Sequence, residues 1–262
     1  MARVFITGST DGLGRAAAQS LLNDGHQVVL HARSAERAAA IKALASHSLS
    51  VVVGDLRSAT DVKSIADQVN AIGRMDAVVH NAGVYTAPSR GTTPEGHAGV
   101  LAVNTLAPYM LTALIERPRR LVYLSSGLHR GGQGSLDDLD WTKRRWDPAR
   151  AYAESKLHVV ALAFALAKRW PDVLINAVDP GWARTKMGGA GAPVDIDTGQ
   201  RTQTWLAASD DPAALVSGRY WHHLQQQQPA SEAADPSFQD QFIARLPELT
   251  GVVLPQTQKP LS

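Results

Sequence analysis

Short apolar runs rich in β-branched residues recur along the chain, and stretches with helical spacing or turn residues separate them. The runs are continuously apolar rather than alternating with polar residues, which is typical of parallel strands covered on both faces. Strands of this kind that alternate with helices predict a doubly wound α/β fold. We therefore predict a single-domain, Rossmann-like parallel sheet of about seven strands flanked by helices. Six of the strands are visible as the runs 4–7, 27–31, 49–53, 77–80, 120–125 and 173–178.

Capping residues and prolines mark where the helices begin and end. Ser34 can cap one helix, and Ser58 with Asp61 forms a start of the capping-box type. The last long helix ends before Trp170-Pro171, because the residue that precedes a proline disfavours the α region. The predicted helices cover about 14–23, 34–46, 58–73, 95–115 and 148–169.

Four ranges describe the expected domain organisation. A single domain over residues 1–250 is expected, because folds of this type often exceed 200 residues as one unit. Within it, residues 127–147 form an insertion. Residues 186–210, which begin with a Gly- and Pro-rich stretch, form a mobile substrate loop. Residues 251–262 are expected to be a flexible tail.

The composition excludes several classes of protein. There is no cysteine, so the chain has neither a disulfide framework nor a thiolate zinc site, and we predict no bound metal. A formal charge of +2, from 26 basic and 24 acidic residues, is too even for nucleic-acid binding. The longest apolar run, 159–167, is too short to span a membrane. Because no signal peptide is visible, we expect a cytoplasmic protein that acts on a small molecule.

A glycine-rich turn, TGSTDGLG (7–14), connects the first strand to the first helix. Its glycines let the backbone turn tightly and approach a ligand closely, and the helix N-terminus offers free N–H groups to a pyrophosphate. The alternative is a tight turn that binds nothing. We favour a nucleotide site, with cofactor contacts at Gly8, Ser9, Thr10, Gly12, Leu13 and Gly14.

The ends of the next three strands extend this predicted cofactor site. Ala32 stands where NAD-specific sites carry an acid for the ribose hydroxyl, whereas Arg33 could pair with a 2′-phosphate. NADP(H) is therefore preferred over NAD(H), unless Arg33 is only a solvated residue at a helix start. Asp55, followed by Leu56, could accept a bond from the adenine amino group or could cap the next helix. Room for a ribose or nicotinamide is left by Asn81, Ala82 and Gly83.

Tyr152 and Lys156 stand at i and i+4 in AYAESK (151–156), so they share one face of the predicted helix. A free tyrosine loses its proton near pH ~10, which suits proton transfer near neutrality poorly. A nearby lysine ammonium favours the phenolate and lowers the pKa of the tyrosine. The same spacing is common on helix surfaces, so the pair alone leaves both interpretations open.

Seven short motifs stand in the order found in the short-chain dehydrogenase/reductase family, which this chain resembles over about residues 3–187. The resemblance implies hydride transfer between NAD(P)(H) and a carbonyl/alcohol pair. It also implies a homo-oligomer that associates through the helices near 95–115 and 148–169. The motifs are TGSTDGLG, GDL, NAG, VN, LSS, YAESK and PGWART.

The resemblance further implies a catalytic tetrad of Asn104, Ser126, Tyr152 and Lys156. Tyr152 exchanges the proton with the substrate. Lys156 lowers the pKa of Tyr152 and holds the nicotinamide ribose, and Ser126 fixes the position of the substrate oxygen. Asn104 holds a water that links Lys156 to solvent. The turn that bonds the nicotinamide carboxamide comprises Pro180, Gly181, Trp182 and Thr185.

Ser126 and Tyr152 are 26 residues apart, whereas about a dozen commonly separate them in the family. The longer gap resembles the retinol-dehydrogenase-like branch, whose members often act on apolar compounds. Because the insertion begins at the serine and ends at the tyrosine, we expect it to reach the mouth of the active site. Its charged half could instead be a solvated surface insertion. The predicted substrate pocket consists of Tyr85, Leu128, His129, Trp182 and Met187.

Two other functions compete with an oxidoreductase. A sensor or scaffold that binds NADP(H) without catalysis usually lacks the tyrosine or the lysine, and this sequence keeps both. A sugar-nucleotide epimerase or dehydratase typically has a differently spaced glycine loop and a larger C-terminal region. An oxidoreductase therefore remains the leading interpretation.

Overall fold

The structure, a computed structural model, describes residues 1–85 and 89–256. Seven of its eight strands are short segments whose side chains are mostly apolar and buried, whereas the eighth consists of three exposed glutamines. The strands are β1 (Arg3–Ile6), β2 (Gln27–Ala32), β3 (Ser50–Val53), β4 (Ala77–His80), β5 (Arg120–Leu124), β6 (Leu174–Asp179), β7 (Arg219–His222) and β8 (Gln225–Gln227).

These strands form one sheet in the order β3-β2-β1-β4-β5-β6-β7-β8, in which β1 to β7 are parallel. The predicted doubly wound parallel sheet is therefore confirmed, with eight strands rather than about seven. The additional strand, β8, runs antiparallel to β7. His223 and Leu224 connect the two strands and both have positive φ, which matches the twist of a tight hairpin.

Ten α-helical segments lie within the described residues, and most start at a capping side chain. Asp11, Ser34, Ser58, Asp147 and Asp195 each accept a backbone N–H at a helix start. The segments are α1 (Gly12–Asn23), α2 (Ala35–Ala39), α3 (Lys42–Ala45), α4 (Ala59–Ile72), α5 (Gly99–Leu101), α6 (Ala107–Leu114), α7 (Pro148–Arg169), α8 (Ile196–Ala208), α9 (Ser231–Ala234) and α10 (Pro236–Thr250).

Three helix boundaries differ from the prediction. The helix expected over 34–46 is divided into α2 and α3 at Ile41. The helix expected over 95–115 begins at Gly99 and contains a π-helical turn, Ala102–Leu106, between α5 and α6. The loop expected over 186–210 becomes helical at Ile196, because Asp195 caps α8 and the buried residues of α8 pack against the sheet and α1.

Helices cover both faces of the sheet. One face packs against α4, α6 and α7, and the other packs against α1 and α8. The chain passes from β3 to β4 across β1, so the direction of winding reverses between β1 and β4. In sheets of this type, the crevice at the carboxyl ends of the two strands that flank the reversal is where ligands bind.

The helix α7 is buried on all sides within one chain. Its residues 151–163 are all buried, beneath α9, α10 and the sheet. Phe242 of α10 stacks on His158 of α7, with ring centres 4.9 Å apart. The surface expected to mediate association through α7 is thus covered by the C-terminal helices of the same chain.

The flexible tail expected over 251–262 also differs from the structure where the structure describes it. The carbonyl of Val252 accepts from the Tyr109 hydroxyl at 2.8 Å, and the carbonyl of Pro255 accepts from Trp170 Nε1 at 3.3 Å. Val252 and Pro255 are therefore tied to α6 and to the end of α7 by hydrogen bonds, although Val253 between them is exposed. Residues 257–262 lie outside the described residues.

The insertion 127–147 is attached to α7 rather than extending into solvent. Arg144 forms two hydrogen bonds to Glu154 of α7, at 2.8 and 2.9 Å, and the Glu154 side chain is 2 % exposed. Asp138 accepts the backbone N–H groups of residues 142–144. Burial opposes the charge on Asp138, but these N–H groups lower its pKa to about 2. Asp138 and Arg144 therefore clamp the charged half of the insertion to α7, whereas Asp137, Lys143, Arg145 and Asp147 in the same half are exposed to solvent.

Candidate active site

The glycine-rich turn after β1 packs closely against the end of β4. Gly8 and Gly12 have φ values of 66° and 53°, in the region that favours glycine. A Cβ at Gly14 would overlap Asn81 and the Gly8 carbonyl. Asn81 Nδ2 donates to the Thr7 carbonyl at 2.9 Å, which holds the two strand ends together. The turn therefore presents its backbone and the start of α1 to the crevice.

A buried histidine on β2 supports this turn from behind. His31 Nδ1 accepts the Gly8 N–H at 2.9 Å, and Nε2 donates to the Gly54 carbonyl at 2.9 Å. Burial lowers the pKa of His31, so the ring is neutral and one nitrogen can accept. Ser9 was predicted to contact the cofactor, but its hydroxyl is buried and accepts the His31 N–H at 2.8 Å. Ser9 holds the turn to β2 instead.

A cleft of about 330 Å³ runs from this turn to Tyr152 and Lys156. Most of the predicted cofactor residues line it, whereas Ser9, Gly181 and Trp182 do not. A larger groove of about 1020 Å³ lies between α1 and α8, but it is open and contains none of the predicted tetrad. The predicted residues that line the cleft are Gly8, Thr10, Gly12, Leu13, Gly14, Arg33, Asp55, Leu56, Asn81, Ala82, Gly83, Tyr152, Lys156, Pro180 and Thr185.

Three arginines surround the end of the cleft that is formed by β2 and β3. Arg33 is exposed there, and the sequence reasoning missed Arg37 and Arg57, which line the same region. The Nε of Arg37 is buried and has no hydrogen-bond partner among the described residues. The sequence held a signal for Arg37. Ser34 caps α2 and so fixes which residues of α2 share a face, and this places residue 37 on the face toward the cleft.

Lys186 was also missed, and it connects the substrate-loop side to the glycine turn. Its Nζ lies 2.6 Å from Asp11, and Arg37 reaches the same carboxylate at 3.8 Å. The Lys186 hydrogen bond leads the effects that lower the pKa of Asp11. Thr185 is also close to the turn, since a Cβ at Gly12 would lie 3.2 Å from its methyl group. This segment therefore crosses the cleft.

Tyr152 and Lys156 meet at the other end of the cleft on one face of α7. Lys156 Nζ lies 5.7 Å from the Tyr152 ring centre and donates to the Leu124 carbonyl at 2.8 Å. Burial lowers the pKa of Lys156 to about 8. Burial raises the pKa of Tyr152 to about 12, and a hydrogen bond with Ser126, which lowers the pKa, only partly offsets this effect. In this structure burial is the largest influence on the pKa of Tyr152. The lowering of that pKa by Lys156 and a positive nicotinamide stays a prediction.

The remaining two members of the predicted tetrad adjoin this pair. Ser126 is half-buried at the end of β5, where its Oγ accepts the Leu128 N–H at 3.2 Å. Asn104 lies in the π-helical turn, and its amide exchanges two hydrogen bonds with the backbone of Val84, at 2.8 and 2.9 Å. It also donates to Ser155 at 2.9 Å. The Asn104 side chain thus holds the chain after β4 beside Lys156.

Four of the five predicted pocket residues are exposed, and two of them, Tyr85 and Met187, are placed near Tyr152 by a ring contact and by the shared cleft. Tyr85 packs edge-on against Tyr152 with ring centres 4.6 Å apart. Leu128, Trp182 and Met187 are 52 %, 61 % and 46 % exposed.

The fifth predicted pocket residue, His129, differs from these four. Its ring is fully buried in the short 3₁₀ helix Gly127–Gly131. Nδ1 donates to the Ser126 carbonyl at 2.7 Å, and Nε2 accepts the Ala230 N–H at 2.9 Å. His129 therefore cannot line the pocket, because both nitrogens hold the serine turn to the C-terminal region.

Two negative findings concern only the described parts of the chain. No cluster of three or more His, Asp or Glu side chains there is arranged to hold a metal ion. No helix among residues 1–85 and 89–256 has the length and apolar character needed to cross a membrane.

The chain is similar to known proteins over nearly its whole length. The family model described as Enoyl-(Acyl carrier protein) reductase matches residues 8–209. The short-chain dehydrogenase chyC of Penicillium rubens is 38% identical over 258 residues, which cover 97% of this chain and 100% of that protein. Retinol dehydrogenase 13 of Homo sapiens is 30% identical over 288 aligned positions, with 98% of this chain and 86% of that protein covered.

A solved structure of a Mycobacterium paratuberculosis protein has the same fold. It has a TM-score of 0.83 at 27% sequence identity, and the match covers 97% of this chain and 95% of that one. The fold and the cleft define a Rossmann-like oxidoreductase. More narrowly, the chain belongs to the short-chain dehydrogenase/reductase family, as the seven motifs predicted.

Proposed function

We propose that this protein transfers a hydride between NADP(H) and an apolar carbonyl/alcohol substrate, with Tyr152 as the acid/base group. The observation that carries the proposal is the position of Tyr152, Ser126 and Lys156 at one end of the cleft that begins at the glycine turn. Ser126 and Tyr152 are distant in sequence, yet the two side chains hydrogen-bond. Catalysis needs this placement of a proton donor beside a substrate-orienting hydroxyl.

The lining of the cleft fits a phosphorylated dinucleotide. The start of α1 offers backbone N–H groups to a pyrophosphate. Arg33, Arg37 and Arg57 surround the cleft end at β2 and β3, where a 2′-phosphate is expected, and Asp55 lies with them. The cofactor supplies the hydride when bound. The buried Nε of Arg37, which lacks a partner, supports NADP(H) over NAD(H).

The protonation state of Tyr152 suits the proton transfer that carbonyl reduction needs. With a pKa raised to about 12 by burial, Tyr152 keeps its proton near neutral pH and can donate it to a carbonyl oxygen. Ser126 donates to the same oxygen and fixes its position. Lys156, beside Gly83, offers an ammonium to a ribose hydroxyl, since a Cβ at Gly83 would lie 3.2 Å from its Nζ. In the oxidative direction Tyr152 accepts the proton.

An NADPH-consumption screen over aldehydes, ketones and quinones tests the proposal, with Tyr152→Phe as the comparison. We expect turnover by the wild type to fall roughly a thousandfold in Tyr152→Phe, within the ~10²–10⁴ contribution of general acid catalysis. NADPH binding should be retained in the variant. Tight NADPH binding without turnover of any compound would instead support a catalytically silent sensor or scaffold.

A further inference from the structure

A second polar pair lies beside the tetrad at the carboxyl ends of β6 and β7. Asp179 follows Val178, which pairs with Leu124 of β5, so Asp179 lies next to the Ser125-Ser126 segment. His222 of β7 is the register partner of Asp179. Neighbouring strands are about 4.8 Å apart, so the carboxylate lies about one strand spacing from the serine turn. The proposed catalytic chemistry uses neither residue.

The Asp179 carboxylate is held at both oxygens but keeps the capacity to accept more hydrogen bonds. Oδ1 accepts the Gly181 N–H at 2.9 Å, and Oδ2 lies 3.3 Å from His222 Nδ1. The Tyr220 hydroxyl hydrogen-bonds to the same carboxylate. An ionised carboxylate has about four acceptor sites, so these partners orient Asp179 without saturating it.

A glycine, rather than a residue with a side chain, lies over this carboxylate. Gly127 is exposed, and a Cβ built there would lie 3.1 Å from Asp179 Oδ2. Its φ is not in the positive region, so the backbone does not require glycine at this position. The absence of a side chain therefore leaves a path from the substrate side of Ser126 to Asp179.

The surroundings of this path are apolar or cationic. Leu128 and Trp182, which follow Gly127 and Gly181 in the chain, are both exposed. His222 stacks on His223, and Arg130 lies over the Tyr220 ring with Cζ 5.8 Å from the ring centre. Asp179, which is 9 % exposed, is thus a mostly buried acidic group beside the serine turn.

We propose that Asp179, oriented by His222 and Tyr220, is a subsite that accepts a hydrogen bond from a hydroxyl or ammonium group of the substrate. The substrate class is then an apolar ketone or aldehyde with a hydrogen-bond donor several ångströms from the reacting carbonyl. A substrate with a carboxylate at that position is disfavoured, because two like charges repel at close range. This inference rests on the proposed function, since it places the carbonyl at Ser126 and Tyr152.

The test compares three ketones that differ at one position. 3-Hydroxyacetophenone can donate a hydrogen bond, 3-methoxyacetophenone can only accept one, and 3-acetylbenzoate carries a negative charge. We measure kcat/KM with NADPH, and in parallel the dissociation constant of each ketone from the enzyme–NADPH complex by ligand-observed NMR. The wild type should prefer the hydroxy over the methoxy compound by roughly tenfold to a hundredfold, as for a hydrogen bond to a charged group.

Two variants should reduce this preference by different routes. Asp179→Asn removes the charge, and Gly127→Ala places a methyl group over the carboxylate. Each has a matched control: Asp210→Asn removes a carboxylate from an almost fully exposed surface position, and Gly131→Ala adds a methyl group where no atom lies within 4 Å. Asp179→Asn should also improve recognition of 3-acetylbenzoate, and both controls should keep the wild-type preference.

The outcomes separate the subsite from the proposed function. Equal preference in wild type and Asp179→Asn, or no preference in the wild type, overturns the subsite. A binding preference that Asp179→Asn removes, in the absence of any turnover, supports the subsite but contradicts the oxidoreductase proposal. If Asp179→Asn loses NADPH binding or thermal stability, the test rests on Gly127→Ala instead. An unchanged preference of Gly127→Ala for the hydroxy over the methoxy ketone then overturns the subsite.

Discussion

Lys156 carries a charge that depends on pH in the range where the protein is expected to work. Burial lowers its pKa to about 8, so the ammonium is present below that pH and is lost above it. NADPH is strongly anionic, and its binding therefore favours the protonated lysine. The dissociation constant of NADPH should rise as the pH is raised from 7 to 9, by up to about tenfold per pH unit above the pKa.

Fluorescence titration of NADPH across this pH range measures the effect. Lys156→Met should remove the pH dependence, whereas Lys63→Met, at an exposed position on α4, should retain it. The same rise in all three proteins would assign the titration to another group.

Arg33 is the residue on which the cofactor preference was predicted, and its exposure sets the expected magnitude. Arg33→Ala should weaken NADPH binding by about tenfold, because an exposed ion pair with a phosphate is weakened by solvent screening. NADH affinity should not change. Isothermal titration measures the dissociation constants of NADPH and NADH. The control is Arg15→Ala, because Arg15 is exposed on α1 and lies outside the cleft. An unchanged NADPH affinity in Arg33→Ala would assign recognition of the 2′-phosphate to Arg37 or Arg57 instead.

At the scale of elements, the insertion depends on one buried ion pair with α7. Removing Arg144 leaves Glu154 buried with Arg150 at 3.7 Å as its remaining ionic partner. Arg144→Ala should therefore lower the free energy of unfolding by about 3 kcal/mol, at the low end for a broken buried pair.

Urea unfolding followed by circular dichroism measures this loss. The control is Arg145→Ala, because Arg145 is exposed in the same segment and its removal should cost no more than about 0.5 kcal/mol. Equal losses in the two variants would show that the clamp does not stabilise the fold.

Elements with strong local signals were predictable, whereas elements with distant partners were not. The strands, the glycine turn and the start of α4 follow from side-chain patterning and capping within a few residues. His129 was assigned to the pocket because Ala230, the donor to its Nε2, is 101 residues away. The helix α8 had a local signal in Asp195 and Thr198, but the preceding glycines and proline led to the prediction of a loop.

At the scale of the whole molecule, the burial of α7 by other helices of the same chain affects how copies of the protein can associate. The family resemblance predicted a homo-oligomer through α6 and α7, but both helices are buried by elements of the same chain. Light scattering coupled to size-exclusion chromatography should therefore give a mass near 28.0 kDa at micromolar concentration. A mass that is a multiple of this value would show association through another surface.

The sequence by itself determined the doubly wound sheet, the glycine turn and the i,i+4 placement of Tyr152 and Lys156, because each depends on spacing within one strand, turn or helix. Only the tertiary structure decided that Ser126 reaches Tyr152 across the insertion, that burial dominates the pKa of Tyr152, and that Gly127 lies over the Asp179 carboxylate. These properties depend on which distant segments meet at the carboxyl ends of the strands. Desolvation and charge act through that three-dimensional proximity, which spacing along the chain does not encode.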